Sequence, residues 1–201
     1  MVIEQQQFNL VDYDDPMVDR ILNAAEQCIH RYGIRRTSMG EVARVGKLSR
    51  GSIYRHFGDK EALVEGVFRR RQLNFLNRTE AALEKESSLV EKVTLSVVMG
   101  RRDMREGIFA ALAETEPETV AMMMTDSRFY ARSIEFWPPH LRMAQAAGEI
   151  SDSVDMAFAT DFVMRLAVSL VMHPKLGAKL DTEKQIRNYL QRVITSGLGN
   201  S

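Results

Sequence analysis

Thr37-Ser38-Met39-Gly40-Glu41-Val42-Ala43-Arg44-Val45-Gly46-Lys47-Leu48-Ser49-Arg50-Gly51-Ser52-Ile53-Tyr54-Arg55-His56-Phe57-Gly58-Asp59-Lys60 holds three helix starts and two helix stops. Ser38 with Glu41 three residues later has the form of a capping box, so a helix begins near Ser38. Gly46 follows Val42, Ala43 and Val45 and suits a left-handed turn that ends this helix early. Ser49 caps a second short helix, Arg50 to about His56, which Phe57-Gly58 breaks. Asp59 caps a longer one that meets no proline before Glu86. Two short helices joined by a tight turn make a helix-turn-helix. On its second helix Arg50, Ser52, Tyr54, Arg55 and His56 are polar or basic, while Ile53 and Phe57 are i, i+4 neighbours available to a core.

Working upstream, Asp15-Pro16 reads as an N-cap with proline at the first helical position. Ile21, Leu22, Ala25, Cys28, Ile29 and Tyr32 then keep helical spacing up to Gly33, the expected stop. Cys28 falls on that apolar face and reads as a small core residue, not a nucleophile. The chain of 201 residues is formally neutral, yet its charge is uneven. Residues 1–16 carry four acids and nothing basic, and residues 17–71 carry 12 Lys/Arg against 6 Asp/Glu. A basic block on a neutral chain is the form of a localised electrostatic footprint for a polyanion.

Downstream, helical segments are expected at 88–102, 104–114, 118–124, 126–147, 153–173 and 182–197. Pro138-Pro139 should kink or split the helix that carries Trp137. No sustained period-2 alternation occurs, so the class is all-α with about nine to ten helices. Residues 1–15 read as a mobile acidic tail, 16–65 as the helix-turn-helix domain and 66–201 as a second helical domain. The helix 59–86 links the two. One cysteine and four scattered histidines supply no disulfide framework and no metal site, so neither metal nor cofactor is expected. No run nears the roughly 18 apolar residues of a membrane span, and the N-terminus carries no basic-then-apolar leader pattern. A cytoplasmic location without membrane attachment is expected.

Thr37-Ser38, Glu41-Val42-Ala43, Gly46, Leu48 through Phe57 and Asp59-Lys60-Glu61-Ala62-Leu63 resemble the DNA-binding signature of TetR-type (TetR/AcrR) transcriptional regulators. The resemblance is specific over about residues 17–65. It implies that Thr37 or Ser38, Tyr54, His56 and Lys60 hold phosphates. It further implies that Arg50 and Ser52, with Lys47 or Arg55, approach base edges in the major groove. Ser49 and Gly51 belong to the same surface: Ser49 lies at the start of the reading helix 49–56 and Gly51 permits close backbone approach. Gly40 departs mildly from a good helix former, at about 1 kcal/mol against alanine.

The resemblance also implies a homodimer on a palindromic operator, paired through the helices at about 153–173 and 182–197. Segment 153–173 is apolar nearly all round, as a helix covered on most sides would be. A small, mostly apolar effector is implied for the second domain, in a pocket drawn from Met99, Phe109, Met123, Phe129, Phe136, Trp137, Phe162 and Arg165. Nine of the 12 methionines lie in residues 72–201 and suit adaptable cavities or ordinary cores alike. Asp161 and Arg165 form an i, i+4 pair, either a solvent-edge or dimer ion pair or the polar anchor of a pocket. The expected function is a ligand-released repressor; the alternative is an architectural DNA-binding dimer without a switch. An enzyme is not expected, since no nucleophile–base spacing, phosphate loop or metal cluster is present in the sequence.

Overall fold

A computed structural model describes residues 11–124 and 126–199, so the acidic stretch expected as a tail lies mostly outside the described residues. Among the described residues there are eleven helices and no strand. They are α1 Pro16–Arg36, α2 Met39–Gly46, α3 Arg50–His56, α4 Lys60–Leu83, α5 Leu89–Arg105 and α6 Gly107–Thr115. After these come α7 Pro117–Met124, α8 Ser127–Ile134, α9 Pro138–Ala146, α10 Met156–Met172 and α11 Glu183–Leu198. Side-chain caps set many of the starts: Asp15, Ser38, Ser49, Ser88, Asp126, Asp155 and Thr182 each accept a backbone N–H of the first turn. Asp59 accepts the Ala62 N–H at 2.7 Å in the same way. Each such cap is worth about 1 kcal/mol.

The chain divides into two compact units, Met1–Gln72 with Ala111–Pro117, and Leu73–Ala110 with Glu118–Ser201. In the first, α1 packs on α2 and α2 on α3. Ile21, Leu22, Cys28, Ile29, Ile53 and Val67 are wholly buried. Burial pushes the Cys28 thiol above its ordinary range, with Glu41 adding to the effect, which fits an inert core residue. Gly66 of α4 leaves the space that Phe57 fills, because a Cβ there would come within 2.7 Å of the Phe57 ring and 3.2 Å of Leu22. Arg70 bonds Asp19 and Glu26, and Arg71 bonds Glu26, tying α4 to α1.

Three local expectations are corrected. Helix α1 does not stop at Gly33 but breaks there, at φ 78° and ψ 170°, and resumes to Arg36. The capping box at Ser38 forms only its serine half, because the Glu41 carboxylate is held by the nearer cation Arg44 at 2.6 Å. The left-handed residue after α2 is Lys47, at φ 52°, and not Gly46. Leu48 N–H bonds Ala43 O at 2.9 Å and Lys47 N–H bonds Arg44 O at 3.3 Å, the two bonds of a Schellman motif. Gly46 answers a different need: a Cβ there would sit 3.0 Å from the Ala24 Cβ and from Leu48 Cδ1, where α1 and α2 cross.

In the second unit α5, α9, α10 and α11 surround one core, with Val93, Val97, Leu141, Val163 and Leu190 fully buried. The proline pair splits the expected 126–147 helix into α8 and α9, since neither proline can donate the N–H that would continue it. The split is the effect expected of Pro138-Pro139. Gly100 lets α5 approach α10, a Cβ there meeting Val171 Cγ2 at 2.8 Å. Arg101 is buried, and among the described residues no carboxylate pairs with it. Its Nε donates to Leu170 O at 2.8 Å and its Nη1 to Leu180 O at 2.5 Å. The guanidinium thus joins the last turn of α10 to the segment before α11, where a cation suits the helix C-terminus.

Burial, and secondarily the neighbouring Arg105, lowers the pKa of Arg101, but it remains charged. Replacing Arg101 with Ala removes the donors of two buried carbonyls and should cost about 2 kcal/mol of unfolding free energy. Urea denaturation followed by circular dichroism checks this, as a lower midpoint with an unchanged slope.

Candidate nucleic-acid interface

Helix α3 divides its residues between two environments. Ile53 and Phe57 are 0% and 1% exposed, whereas Tyr54 is 52% exposed. Arg50, Gly51 and Arg55 are exposed with Tyr54, and Ser52 and His56 are half-buried at the edge. The buried pair fixes the helix by one stripe and presents the others outward. Among the described residues no acid pairs with Lys47, Arg50 or Arg55. By contrast Arg44, Arg70 and Arg71 are held by carboxylates of their own unit. Glu41 is held below its ordinary carboxylate range chiefly by the hydrogen bond from Arg44, and the same bond raises Arg44. Lys47, Arg50 and Arg55, without acid partners, therefore lie together on α3 and the turn before it, where backbone N–H groups of a helix start also favour an anion.

The hydroxyls near this surface have local partners. Ser49 Oγ accepts the Ser52 N–H at 3.0 Å and lies 2.9 Å from Ser52 Oγ, which also accepts from Arg55. Ser38 is exposed while it caps α2 through the Glu41 N–H. Thr37 is buried, its hydroxyl donating to Gly33 O at 2.7 Å. Lys60 is half-buried, and its Nζ donates to Arg35 O at 3.0 Å. Gly51 has nothing closer than Ser49 Oγ at 3.9 Å from where a Cβ would stand, and its φ is not positive. Nothing in the protein itself demands glycine there.

Two residues that support this surface escaped the sequence pattern. Arg20 of α1 donates from Nε to Gly46 O and from Nη2 to Lys47 O, each at 3.0 Å. It thereby holds the turn in which Lys47 adopts a left-handed conformation that costs a non-glycine residue about 1 kcal/mol or more. Gly40 makes room for Arg50: a Cβ at Gly40 would lie 2.7 Å from the Arg50 Nη2 and 3.2 Å from its Cζ. The mid-helix glycine that looked like a weak point of α2 is the seat of the first arginine of α3. Arg20 is 26 residues from its first partner and Gly40 10 from its own, distances at which no local spacing rule operates.

The effector residues expected in the second unit fall in several settings. Trp137 belongs to the core, Phe136 and Phe162 pack against it, and the Phe136 and Trp137 rings meet edge-on at 5.3 Å. Phe109 is buried, and Met99, Met123 and Phe129 are half-buried. Arg165 is exposed, with its Nε donating to Asp161 Oδ2 at 2.6 Å and its guanidinium 5.9 Å from the Tyr130 ring centre. Tyr130 OH donates to the other Asp161 oxygen at 2.5 Å. Arg165 first and Tyr130 second hold Asp161 below its ordinary range. No group of side chains able to hold a metal occurs among the described residues, and no helix is long and apolar enough to cross a membrane.

The family model for bacterial regulatory proteins of the tetR family matches residues 21–67, the span from the middle of α1 into α4 that carries this surface. This match places the helix-turn-helix domain in the TetR family of transcriptional regulators. The chain is 27% identical over 169 residues to the HTH-type transcriptional regulator UidR of Escherichia coli K12, covering 81% of this chain and 84% of that one. Among solved structures, Salmonella enterica GusR is 25% identical with a TM-score of 0.58, over 94% of this chain and 99% of that one. The Bacillus subtilis regulator FadR, solved with stearoyl-CoA, shares the fold at a TM-score of 0.61 and 18% identity, over 90% and 98% of the two chains.

The seat at Gly40 separates stability from recognition. Gly40→Ala should stabilise the TetR-type domain by up to about 1 kcal/mol through helix propensity. The same methyl group displaces the Arg50 guanidinium and should weaken specific DNA binding. Thermal melting and fluorescence anisotropy on the same samples check the opposite signs.

Proposed function

We propose that this chain is a homodimeric TetR-type repressor that binds a palindromic operator and is released by a small, mostly apolar effector. The observation that carries the reading is the exposed, acid-free set Lys47, Arg50 and Arg55 on a helix whose opposite stripe, Ile53 and Phe57, is wholly buried. The major groove admits one α-helix, and arginine is the side chain best matched to guanine edges. Arg50, Ser52, Lys47 and Arg55 then meet bases, while Ser38, Ser49, Tyr54, His56 and Lys60 meet phosphates and Gly51 lets the backbone close in. Residues 16–65 serve as the DNA-binding domain, and 66–201 serve effector binding and dimerisation. A dimer must match half-sites about 34–36 Å apart, so an effector that alters the spacing of its two heads releases it. Trp137, Phe136 and Phe162, which share one core, are the aromatic part of the effector site in this reading.

The same reading pairs α10 and α11 with their copies. Phe158 is 55% exposed and stacks on Phe162 at 6.0 Å, so α10 carries one aromatic ring that its own chain leaves open. Asp161 and Arg165 lie between and beside these rings on successive turns, and we assign their ion pair to the dimer face and not to the effector pocket.

Two experiments test the reading. Fluorescence anisotropy would use DNA from upstream of the protein's own and neighbouring genes, with competitor DNA and a salt series. The expected result is tight, competitor-resistant binding to a palindromic fragment, weakened about 10- to 100-fold by Arg50→Ala or Tyr54→Ala. Weak, steeply salt-dependent binding to every fragment would favour an architectural DNA-binding dimer instead. Phe158→Glu should convert the dimer to monomer in size-exclusion chromatography with light scattering. A Phe158→Glu protein that stays dimeric would move the interface elsewhere.

A further inference from the structure

Glu116, at the junction of α6 and α7, is 4% exposed, and its Oε1 accepts the backbone N–H of Arg35 at 3.0 Å. The bond exists because of Gly33. The break in α1 at that residue interrupts the helical ladder and leaves the Arg35 N–H without its usual carbonyl. Gly33 also makes the room, since a Cβ on it would stand 2.4 Å from the same carboxylate oxygen. Two further groups hold this corner: Lys60 Nζ donates to Arg35 O at 3.0 Å and Thr37 Oγ1 to Gly33 O at 2.7 Å. Both polar groups of the Arg35 backbone are therefore gripped by charged side chains. Two residues later comes Thr37, and Ser38 then caps α2.

A side-chain oxygen at this reach satisfies the Arg35 N–H in place of the helical carbonyl that the break in α1 takes away. The segment that supplies it, Ala111–Pro117, belongs to the first compact unit, although the chain on both sides of it belongs to the second. We propose that Glu116 is a positioning residue for operator binding. It holds the α1–α2 corner through the Arg35 N–H, so that Ser38 and Lys60 meet the DNA backbone in register with the reading helix. This inference rests on the operator reading above and adds to it a residue outside the helix-turn-helix, 66 positions from Arg50.

Three substitutions separate the hydrogen bond from the charge and from mere packing. Glu116→Gln keeps a neutral acceptor oxygen at the same reach, Glu116→Asp keeps the charge but withdraws the oxygen, and Glu116→Ala removes both. Hydrogen exchange of the Arg35 amide, read by NMR on the full chain, should be slow in the wild type and in Glu116→Gln. It should be fast in Glu116→Asp and Glu116→Ala. In fluorescence anisotropy, at a temperature where all four proteins are folded, Glu116→Asp and Glu116→Ala should bind the preferred fragment about tenfold more weakly. That loss corresponds to about 1.4 kcal/mol. Glu116→Gln should stay within about twofold.

Operator affinity equal to wild type in Glu116→Ala, whatever its melting temperature, would reduce Glu116 to a structural role and overturn the proposal. So would a Glu116→Gln protein as weak as Glu116→Ala, because charge and not the hydrogen bond would then matter. A wild type that prefers no fragment would refute the operator reading itself. The exchange of the Arg35 amide would in that case still decide whether Glu116 holds the corner.

Discussion

Phe57 sits where α3 ends, in the space left by the missing side chain of Gly66, a space that Leu22 of α1 also borders. That contact, with Ile53 one turn earlier, is what aims the reading helix. A seven-residue helix has too few hydrogen bonds to be stable alone, so α3 exists because one stripe of it is buried. Its direction then follows from which residues are on that stripe. With Ile53 and Phe57 inward, Arg50, Gly51, Tyr54 and Arg55 must face out. Truncating Phe57 would open a cavity of the kind that costs about 3–5 kcal/mol, and the first consequence would be loss of aim.

Around this anchor the remaining interactions act on the two ends of the helix-turn-helix. Arg20 holds the turn between α2 and α3 by its carbonyls, and Gly40 gives the Arg50 side chain a place to lie. Glu116 and Lys60 hold the corner between α1 and α2 by the two backbone groups of Arg35. These are contacts to main-chain atoms, and they fix geometry without consuming the exposed cations. Arg70 and Arg71, which pair with Asp19 and Glu26, lie between α1 and α4 and serve the fold. The division between paired and unpaired cations is the electrostatic signature of the site.

Most of the fold was legible because its signals are local. N-caps at Asp15, Ser38, Ser49 and Asp59, the apolar spacing of α1 and the Phe57-Gly58 break act within one or two turns. Their reading placed α1 to α4 nearly as they stand. Where the reading differed, a second local force was stronger. Arg44 drew the Glu41 carboxylate away from the cap, and the close crossing of α1 and α2 reserved Gly46 for packing, leaving Lys47 to make the left-handed turn. In the second unit the Pro138-Pro139 pair divides α8 from α9 as the sequence predicts, because two missing N–H groups end the ladder outright.

By itself the order of residues determined the all-α class, the helix-turn-helix and the basic surface on α3, since capping, periodicity and charge are written in neighbours three or four positions apart. Tertiary structure decided which residues support that surface. Gly40 meets Arg50 across 10 residues, Arg20 meets Gly46 across 26, and Glu116 meets Arg35 across 81. A glycine reads as a helix defect until the guanidinium lying on it is seen, and a lone glutamate after α6 reads as solvent until its carboxylate is found in the break of α1. Such contacts depend on where folded elements come together in space, and no spacing along the chain encodes that distance.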